Sequence, residues 1–304
     1  MRILLTGTNG QLGKDLFPLL REQGEVVAAS RADCDLSSAD AIRRLVAEVR
    51  PSVIVNPAAY TAVNEAEAHS DLAYAVNRSA AGTLAEAARR SGAMFVHYST
   101  DYVFDGSKPG AYTESDEPAP LNVYGASKLA GERAVAAAGG RFLVLRTSWV
   151  YGANGNNFLL TIRRLARERE ELKIVDDQVG GPTSSMQIAR ATARLVGQCA
   201  AVAEGAFPSG VYHMTAEGSV SWCEFARAIV AALSEGEQFR LQRILGIPSS
   251  EYPTPARRPL NSVLCNDKFE RTFGFRLGSW RSGLAEVVHE IRLRESQNCP
   301  NEIV

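Results

Sequence analysis

The chain has 304 residues, 45 % of them hydrophobic and 22 % charged, with a formal net charge of −1. That length suits one large domain plus a smaller one, in an ordinary globular protein. The near-zero charge excludes a broad basic field for nucleic acid or for an anionic membrane surface.

In chain order, "RILLTG" reads as a strand and "LGKDLFPLLREQ" as an amphipathic helix. "EVVAAS" is the next strand, "SADAIRRLVAEVR" a helix and "SVIVN" a third strand. "NRSAAGTLAEAARRSG" (helix), "AMFVHYST" (strand), "YGASKLAGERAVAAAG" (helix) and "RFLVLRTSW" (strand) continue the alternation. Strands that are apolar throughout, alternating with helices, predict a parallel sheet covered on both faces. After Trp149 the rhythm loosens. "NFLLTIRRLARERE", "SSMQIARATARLVGQ" and "SWCEFARAIVAALSEG" read as helices, separated by the loop-like "VDDQVGGPTSS" and followed by the Pro-rich "PSSEYPTPARRPLNS".

No window approaches the ~18 consecutive apolar residues of a membrane span. The apolar run in "MRILLTGTNG" is far shorter than the roughly 7–15 residues of a secretory core. The cysteines (Cys34, Cys199, Cys223, Cys265 and Cys299) are scattered and odd in number, with no C-x-x-C, which fits neither a disulfide framework nor a zinc site. A cytoplasmic location is expected.

"TGTNGQLG" sets Gly7, Gly10 and Gly13 between the first strand and the first helix. Glycine permits the tight turn and close approach of backbone to a pyrophosphate, and the helix N-terminus offers free N–H groups. In the first unit of an alternating α/β chain this reads as a dinucleotide loop. The second strand ends in Ala29-Ser30-Arg31, with no acid to take a ribose 2′-hydroxyl. Arg31 is either a 2′-phosphate ligand or solvated surface; the missing acid favours NADPH over NADH, with NADH as a secondary possibility. Asp35-Leu36 follow, a carboxylate and an apolar side chain suited to the adenine end.

Tyr124 and Lys128 are four apart and share one helix face. A free Tyr titrates near ~10. An adjacent ammonium, with the positive nicotinamide of an oxidised cofactor, is expected to lower that value and make the pair an acid–base unit for carbonyl–alcohol chemistry. "FVHYST" ends at the carboxyl edge of the sheet, where ligands bind in open α/β folds, so Ser99 and Thr100 can present hydroxyls to a substrate.

With "ILLTGTNGQLG", "VNPAAYTAVNEAE", "HYSTDYVFDG", "PLNVYGASKLAGE", "RTSWVYG", "DDQVGGPT" and "ARRPLNS" in place, nearly the whole chain resembles one family. It is the dTDP-4-dehydrorhamnose reductase family of the extended short-chain dehydrogenase/reductase superfamily. The resemblance implies a Rossmann-type doubly wound sheet with a smaller C-terminal α/β substrate domain. We place the cofactor domain at 1–152, with 183–210 packing back onto it, and the substrate domain mainly at 153–182 and 211–304. It also implies NADPH-dependent reduction of the C4 keto group of a dTDP-hexulose. Thr100, Tyr124 and Lys128 would be the catalytic set, with Tyr124 as proton donor. Gly10-Gln11-Leu12, Asp35-Leu36, Ala59-Tyr60-Thr61 and Tyr98 would contact the cofactor. Thr100, Asp101, Trp149 and Arg258 would contact the sugar nucleotide. Trp149 is equally compatible with core packing, Arg258 with plain surface, and Asn56 and Asn77 with turn positions.

Some members of that family are described as dimers bridged by magnesium through carboxylates. Here one such position is Asp15, which also suits a helix-start acid complementing the dipole, and the other is Met186, a poor ligand for a hard cation. We therefore expect no structural metal, and a monomer or homodimer. Two other readings stay open: a nucleotide-sugar epimerase or dehydratase, and a non-catalytic NADP-binding regulatory subunit of the same fold. Dehydratases usually carry Asp-Glu after the strand-end Thr, whereas here Asp101 is followed by Tyr102.

Overall fold

In the computed structural model, which describes residues 1–298, the alternating N-terminal pattern resolves into a parallel sheet. Cys299 and the last residues of the 211–304 segment lie outside the described residues. The first five strands are β1 (Arg2–Thr6), β2 (Glu25–Ala29), β3 (Val53–Asn56), β4 (Met94–Thr100) and β5 (Phe142–Thr147). Short strands follow: β6 (Val150–Tyr151), β7 (Glu171–Val175), β8 (Val179–Gly180), β9 (Thr183–Ser184), β10 (Gly210–His213), β11 (Val220–Ser221) and β12 (Arg243–Ile247). The helices are α1 (Gln11–Arg21), α2 (Ala39–Val49), α3 (Val63–Ala66), α4 (Ser70–Tyr74), α5 (Ala81–Ser91) and α6 (Val123–Ala138). They continue with α7 (Phe158–Glu168), α8 (Ser185–Cys199), α9 (Trp222–Ser234), α10 (Asp267–Phe273) and α11 (Trp280–Asn298).

The main sheet runs β10-β5-β4-β3-β1-β2, every pair parallel. From β1 the chain moves outward to β2 and then crosses back to β3, so a crevice opens at the carboxyl ends of β1 and β3. Strand side chains alternate between two cores. Ile3, Leu5, Val53, Val55, Val96 and Leu145 pack under α1 and α8 with Leu16, Leu20, Ile188 and Leu195. Leu4, Ile54, Phe95 and Val144 pack under α2, α5 and α6 with Ile42, Val46, Leu84 and Val135. Each such buried side chain stabilises the fold by on the order of 1.5–3 kcal/mol.

The chain returns to this sheet twice after leaving it. α8 lies along α1, and β10 pairs with β5 as the sixth strand. A boundary at residue 211 therefore falls inside a strand of the main sheet, not at the start of a separate unit. The remaining elements gather around a third core, in which Tyr151, Leu159, Phe225, Ile229, Trp280 and Val287 join α7, α9 and α11. A second correction concerns Asp15, read as a helix-start acid complementing the dipole: it lies beyond the first turn of α1. It is buried and accepts a 2.5 Å hydrogen bond from Ser185 Oγ at the start of α8, fastening α8 to α1.

α6 positions the site and is held unusually closely. Asn122 caps it, its Oδ1 accepting from Gly125 N at 2.8 Å while its Nδ2 donates to the Arg257 carbonyl at 2.7 Å. A Cβ on Gly125 would overlap the Tyr102 carbonyl, and one on Gly131 the Asn77 carbonyl, so both positions need the bare backbone. Further along, Glu132 accepts from Arg146 of β5 through both oxygens, at 2.9 and 2.7 Å, each side chain only 4 % exposed. Removing one partner of a buried pair strands a charge. Glu132→Ala should cost about 3–5 kcal/mol in urea unfolding, whereas the paired Glu132→Met/Arg146→Met change should cost much less.

Candidate active site

A cleft of about 660 Å³ opens at the carboxyl ends of β1, β3, β4 and β5, a volume suited to a small-molecule site. The glycine loop forms one end. Gly7 has φ +58°, and a Cβ there would sit 2.9 Å from Ala58 N; a Cβ on Gly13 would overlap the Gly7 carbonyl. Gly10 starts α1 without a side-chain cap, leaving the first-turn N–H groups for a ligand. The chemistry of this cradle, bare N–H groups at a helix N-terminus beside a backbone that admits no Cβ, fits a dinucleotide pyrophosphate.

Most of the residues singled out in the sequence line this cleft: Gly7, Gly10, Gln11, Leu12 and Gly13, then Ser30, Arg31, Asp35 and Leu36. Ala59, Tyr60 and Thr61 line its middle, and Tyr98, Thr100, Asp101, Tyr124, Lys128 and Trp149 its far end. Arg258 is not in the lining. Its guanidinium donates to Thr254 Oγ1, the Ala256 carbonyl and Asn64 Oδ1. Those acceptors are neutral, and among the described residues no salt bridge engages it. At the β2 end, an acid absent from the strand itself is close by. Asp33 accepts from Ser30 N and Oγ, at 2.8 and 2.6 Å, and these bonds hold its carboxyl below the usual range. Asp35 is likewise held low, by Ser37 and then by the Arg31 charge.

Tyr98 enters the site by its backbone. Its hydroxyl points away to Thr192 of α8 at 2.7 Å, while its carbonyl accepts from Lys128 Nζ at 2.5 Å. Lys128 is fully enclosed, and burial lowers its ammonium from 10.5 to about 8 against the favourable field of Glu132. The Tyr124 phenol is pushed up to about 12 by burial, with a hydrogen bond to Thr100 pulling the other way and Asp101 pushing further. Among the protein's own groups, desolvation sets the direction for this phenol.

Asp101 is only 2 % exposed and accepts from Thr100 Oγ1 at 3.0 Å and from Ser148 Oγ at 2.8 Å. Burial raises its carboxyl to about 6, opposed by bonds from Ser262, Ser148 and Thr100. Behind the wall, Thr6 Oγ1 donates to Asn56 Oδ1 at 2.5 Å and Asn56 Nδ2 faces His97 Nδ1 at 3.1 Å. His97 is held neutral by burial and then by Lys128.

Sequence reasoning weighed Asn77 as a turn residue and missed Trp222. Asn77 lies in a π-helical turn, Ala75–Ala80, where a regular helix was expected to begin. It bonds both backbone groups of Tyr60, at 2.8 and 3.1 Å, and Ser127 Oγ at 2.9 Å, locking the Tyr60 loop to α6. Trp222 opens α9 behind a Ser221/Glu224 capping box, the one local signal that marks its position. It reaches the cleft and stacks on Trp149 with ring centroids 3.4 Å apart. Trp149 itself has φ +46°, a left-handed backbone that costs a non-glycine residue about 1–3 kcal/mol.

Among the described residues no group of three or more His, Cys, Asp or Glu is gathered that could hold a metal ion, and no helix is long and apolar enough to cross a membrane.

Residues 1–293 match the family model of the RmlD substrate binding domain. The chain is 50 % identical over 295 residues to a dTDP-4-dehydrorhamnose reductase of Burkholderia thailandensis, covering 96 % of this chain and 99 % of that one. Among solved structures it is similar to a dTDP-4-dehydrorhamnose reductase of Bacillus anthracis in complex with NADP. The two are 36 % identical with a TM-score of 0.88, and the match covers 95 % of this chain and 99 % of that one. The chain is also similar to the structure of a dTDP-4-dehydrorhamnose reductase from Clostridium acetobutylicum, with a TM-score of 0.89 at 37 % identity, covering 96 % and 100 %.

A Lys whose folded-state value lies below its unfolded one binds fewer protons folded than unfolded. Between about 8 and 10.5 the Lys128 contribution should therefore make stability rise with pH. Denaturant titrations across that window should show the rise in the wild type and its loss in Lys128→Met.

Proposed function

The chain belongs to the RmlD family of dTDP-4-dehydrorhamnose reductases, and from that premise we propose that it reduces the C4 keto group of dTDP-4-dehydro-L-rhamnose to dTDP-L-rhamnose with NADPH. The observation that carries this reading is the meeting of Thr100, Tyr124 and Lys128 at the far end of a cleft whose other end is the glycine loop.

In this reading the glycine loop and the first turn of α1 hold the pyrophosphate, and Ala59, Tyr60 and Thr61 bracket the middle of the cofactor. Ser30, Arg31, Asp35 and Leu36 surround its adenosine end. Arg31, exposed at the end of β2, is the cation for a 2′-phosphate. When bound, the nicotinamide supplies the hydride. Lys128, anchored on the Tyr98 carbonyl, points its ammonium at the ribose hydroxyls. Thr100 orients the substrate oxygen, and Tyr124 gives it a proton. A phenol held in its neutral form by burial is already loaded with the proton it must deliver.

Asp101 and Trp149 bound the sugar, and Arg258 lends its charge to the diphosphate. The residue after Asp101 is the enclosed phenol of Tyr102, whose proton affinity burial raises; it cannot replace the carboxylate that dehydration of a sugar requires. That weighs against a dehydratase, and an intact Thr100–Tyr124–Lys128 set weighs against a regulatory subunit without turnover.

Adding dTDP-4-dehydro-L-rhamnose to the protein and NADPH should consume the cofactor, followed by its absorbance. Tyr124→Phe should lower kcat by about 10²–10⁴; full activity in that variant would sink the assignment. Arg31→Ala should raise the KM for NADPH far more than that for NADH. An equal rise for both would remove Arg31 from the 2′-phosphate.

A further inference from the structure

We propose that Asp33 sets the balance between the two nicotinamide cofactors: its carboxylate stands in for the acid missing from the end of β2, admitting a free ribose 2′-hydroxyl and opposing a 2′-phosphate. The inference deepens the reading of Ser30 and Arg31 as the adenosine end of the cofactor site, and it rests on that reading.

The two ligands ask for opposite things. A 2′-hydroxyl has a hydrogen to donate, and an acid at the end of the second strand accepts it in dinucleotide sites. A phosphate brings acceptor oxygens only and more than one negative charge. β2 stops at Ala29, and Ser30 and Arg31, the next two residues, line the cleft. No acid projects from the strand end itself. Asp33 reaches back to that point across a tight turn, in which its own N–H donates to the Ser30 carbonyl at 3.2 Å. Its Oδ2 accepts from Ser30 N at 2.8 Å and from Ser30 Oγ at 2.6 Å. A carboxylate oxygen thus sits at the strand end although its residue comes three positions later.

The same two bonds bear on a phosphate. Ser30 has two hydrogens to offer, on N and on Oγ, and both go to Asp33; Oγ also accepts from Ala32 N at 3.2 Å. The donors that a 2′-phosphate would use at Ser30 are already engaged, and engaged by an anion. Asp35 is taken up in the same way, by Ser37 N and Oγ at 2.9 and 2.8 Å. Both carboxylates are therefore turned onto serines, and among the described residues neither forms an ion pair with Arg31. Arg31 and Asp33 are both exposed, so a ligand meets them without any wall moving. The end of β2 presents one cation for a phosphate and, beside it, one carboxylate for a hydroxyl. Each disfavours the other's ligand, and Asp33 keeps the preference for NADPH small.

Two fragments read this without turnover: 5′-AMP and adenosine 2′,5′-bisphosphate, titrated calorimetrically into the full chain. Asp33→Ala frees both Ser30 donors and removes the charge. The affinity for the bisphosphate relative to the monophosphate should then rise by about tenfold or more over the wild type. A ratio that stays within about twofold of the wild type, or falls, overturns the proposal. An acid that only steadied the turn gives that result, because its loss weakens both fragments alike. Asp33→Asn guards against a turn that collapses in Asp33→Ala. It keeps an acceptor for Ser30 N–H and removes the charge, so the ratio should again rise; a ratio at or below the wild-type value overturns the proposal here too. Arg31→Ala separates the inference from its premise. A ratio unmoved by Arg31→Ala defeats the placement of the 2′-phosphate at the end of β2, and the proposal with it. A ratio that falls in Arg31→Ala but does not move in Asp33→Ala defeats the role of Asp33 alone.

Discussion

Enclosing the Lys128 ammonium is the constraint from which the rest of the site follows. A cation taken out of water must be given donors' acceptors and charge partners at short range, or it gives up its proton. The Tyr98 carbonyl, at the last regular stretch of β4, supplies the acceptor, and Glu132 one turn along α6 supplies the favourable field. Glu132 in turn is held by Arg146 of β5. α6 must therefore lie almost against the sheet, and two glycines remove the Cβ atoms that would otherwise keep it off the Tyr102 and Asn77 carbonyls. The same close approach drives the Tyr124 phenol and the Asp101 carboxyl into surroundings that favour their protonated forms. One packing decision thus sets three proton affinities.

The cleft is a joint product of both halves of the chain. The N-terminal units build its floor, but α8 closes the sheet face through the Asp15–Ser185 bond and β10 completes the sheet edge. The outer wall comes from elsewhere again: Trp222 belongs to the third core through Phe158 and yet lies flat on Trp149 of the segment after β5. Asn122 ties the start of α6 to the 254–258 stretch.

How much of this could be read from the sequence follows from the range of each interaction. The glycine loop, the alternating strands and the Tyr124–Lys128 spacing are local patterns, and they gave the sheet, its helices and the two ends of the cleft, while its middle at Ala59-Tyr60-Thr61 came from the family resemblance. What escaped was long-range or environmental. Asp15 looked like a helix-start acid because its partner, Ser185, is 170 residues away. The segment at 211 looked like the start of a new unit because a lone edge strand carries no mark of the sheet it will join. Asn77 read as a helix start or a turn residue, because its bonds to Tyr60 and Ser127 reach 17 and 50 residues along the chain. The burial that raises the Tyr124 phenol escaped for a different reason: spacing shows proximity along a helix, but burial has no signature in two residues.

The stacked indoles of Trp149 and Trp222 have one more consequence. Two identical chromophores lying parallel at 3.4 Å couple their electronic transitions, so they absorb and emit as a pair and not as two separate rings. One of them follows β5 and the other opens α9, and both face the cleft. The near-ultraviolet absorption and the tryptophan fluorescence of the protein therefore report whether the segment after β5 and the start of α9 stay in contact.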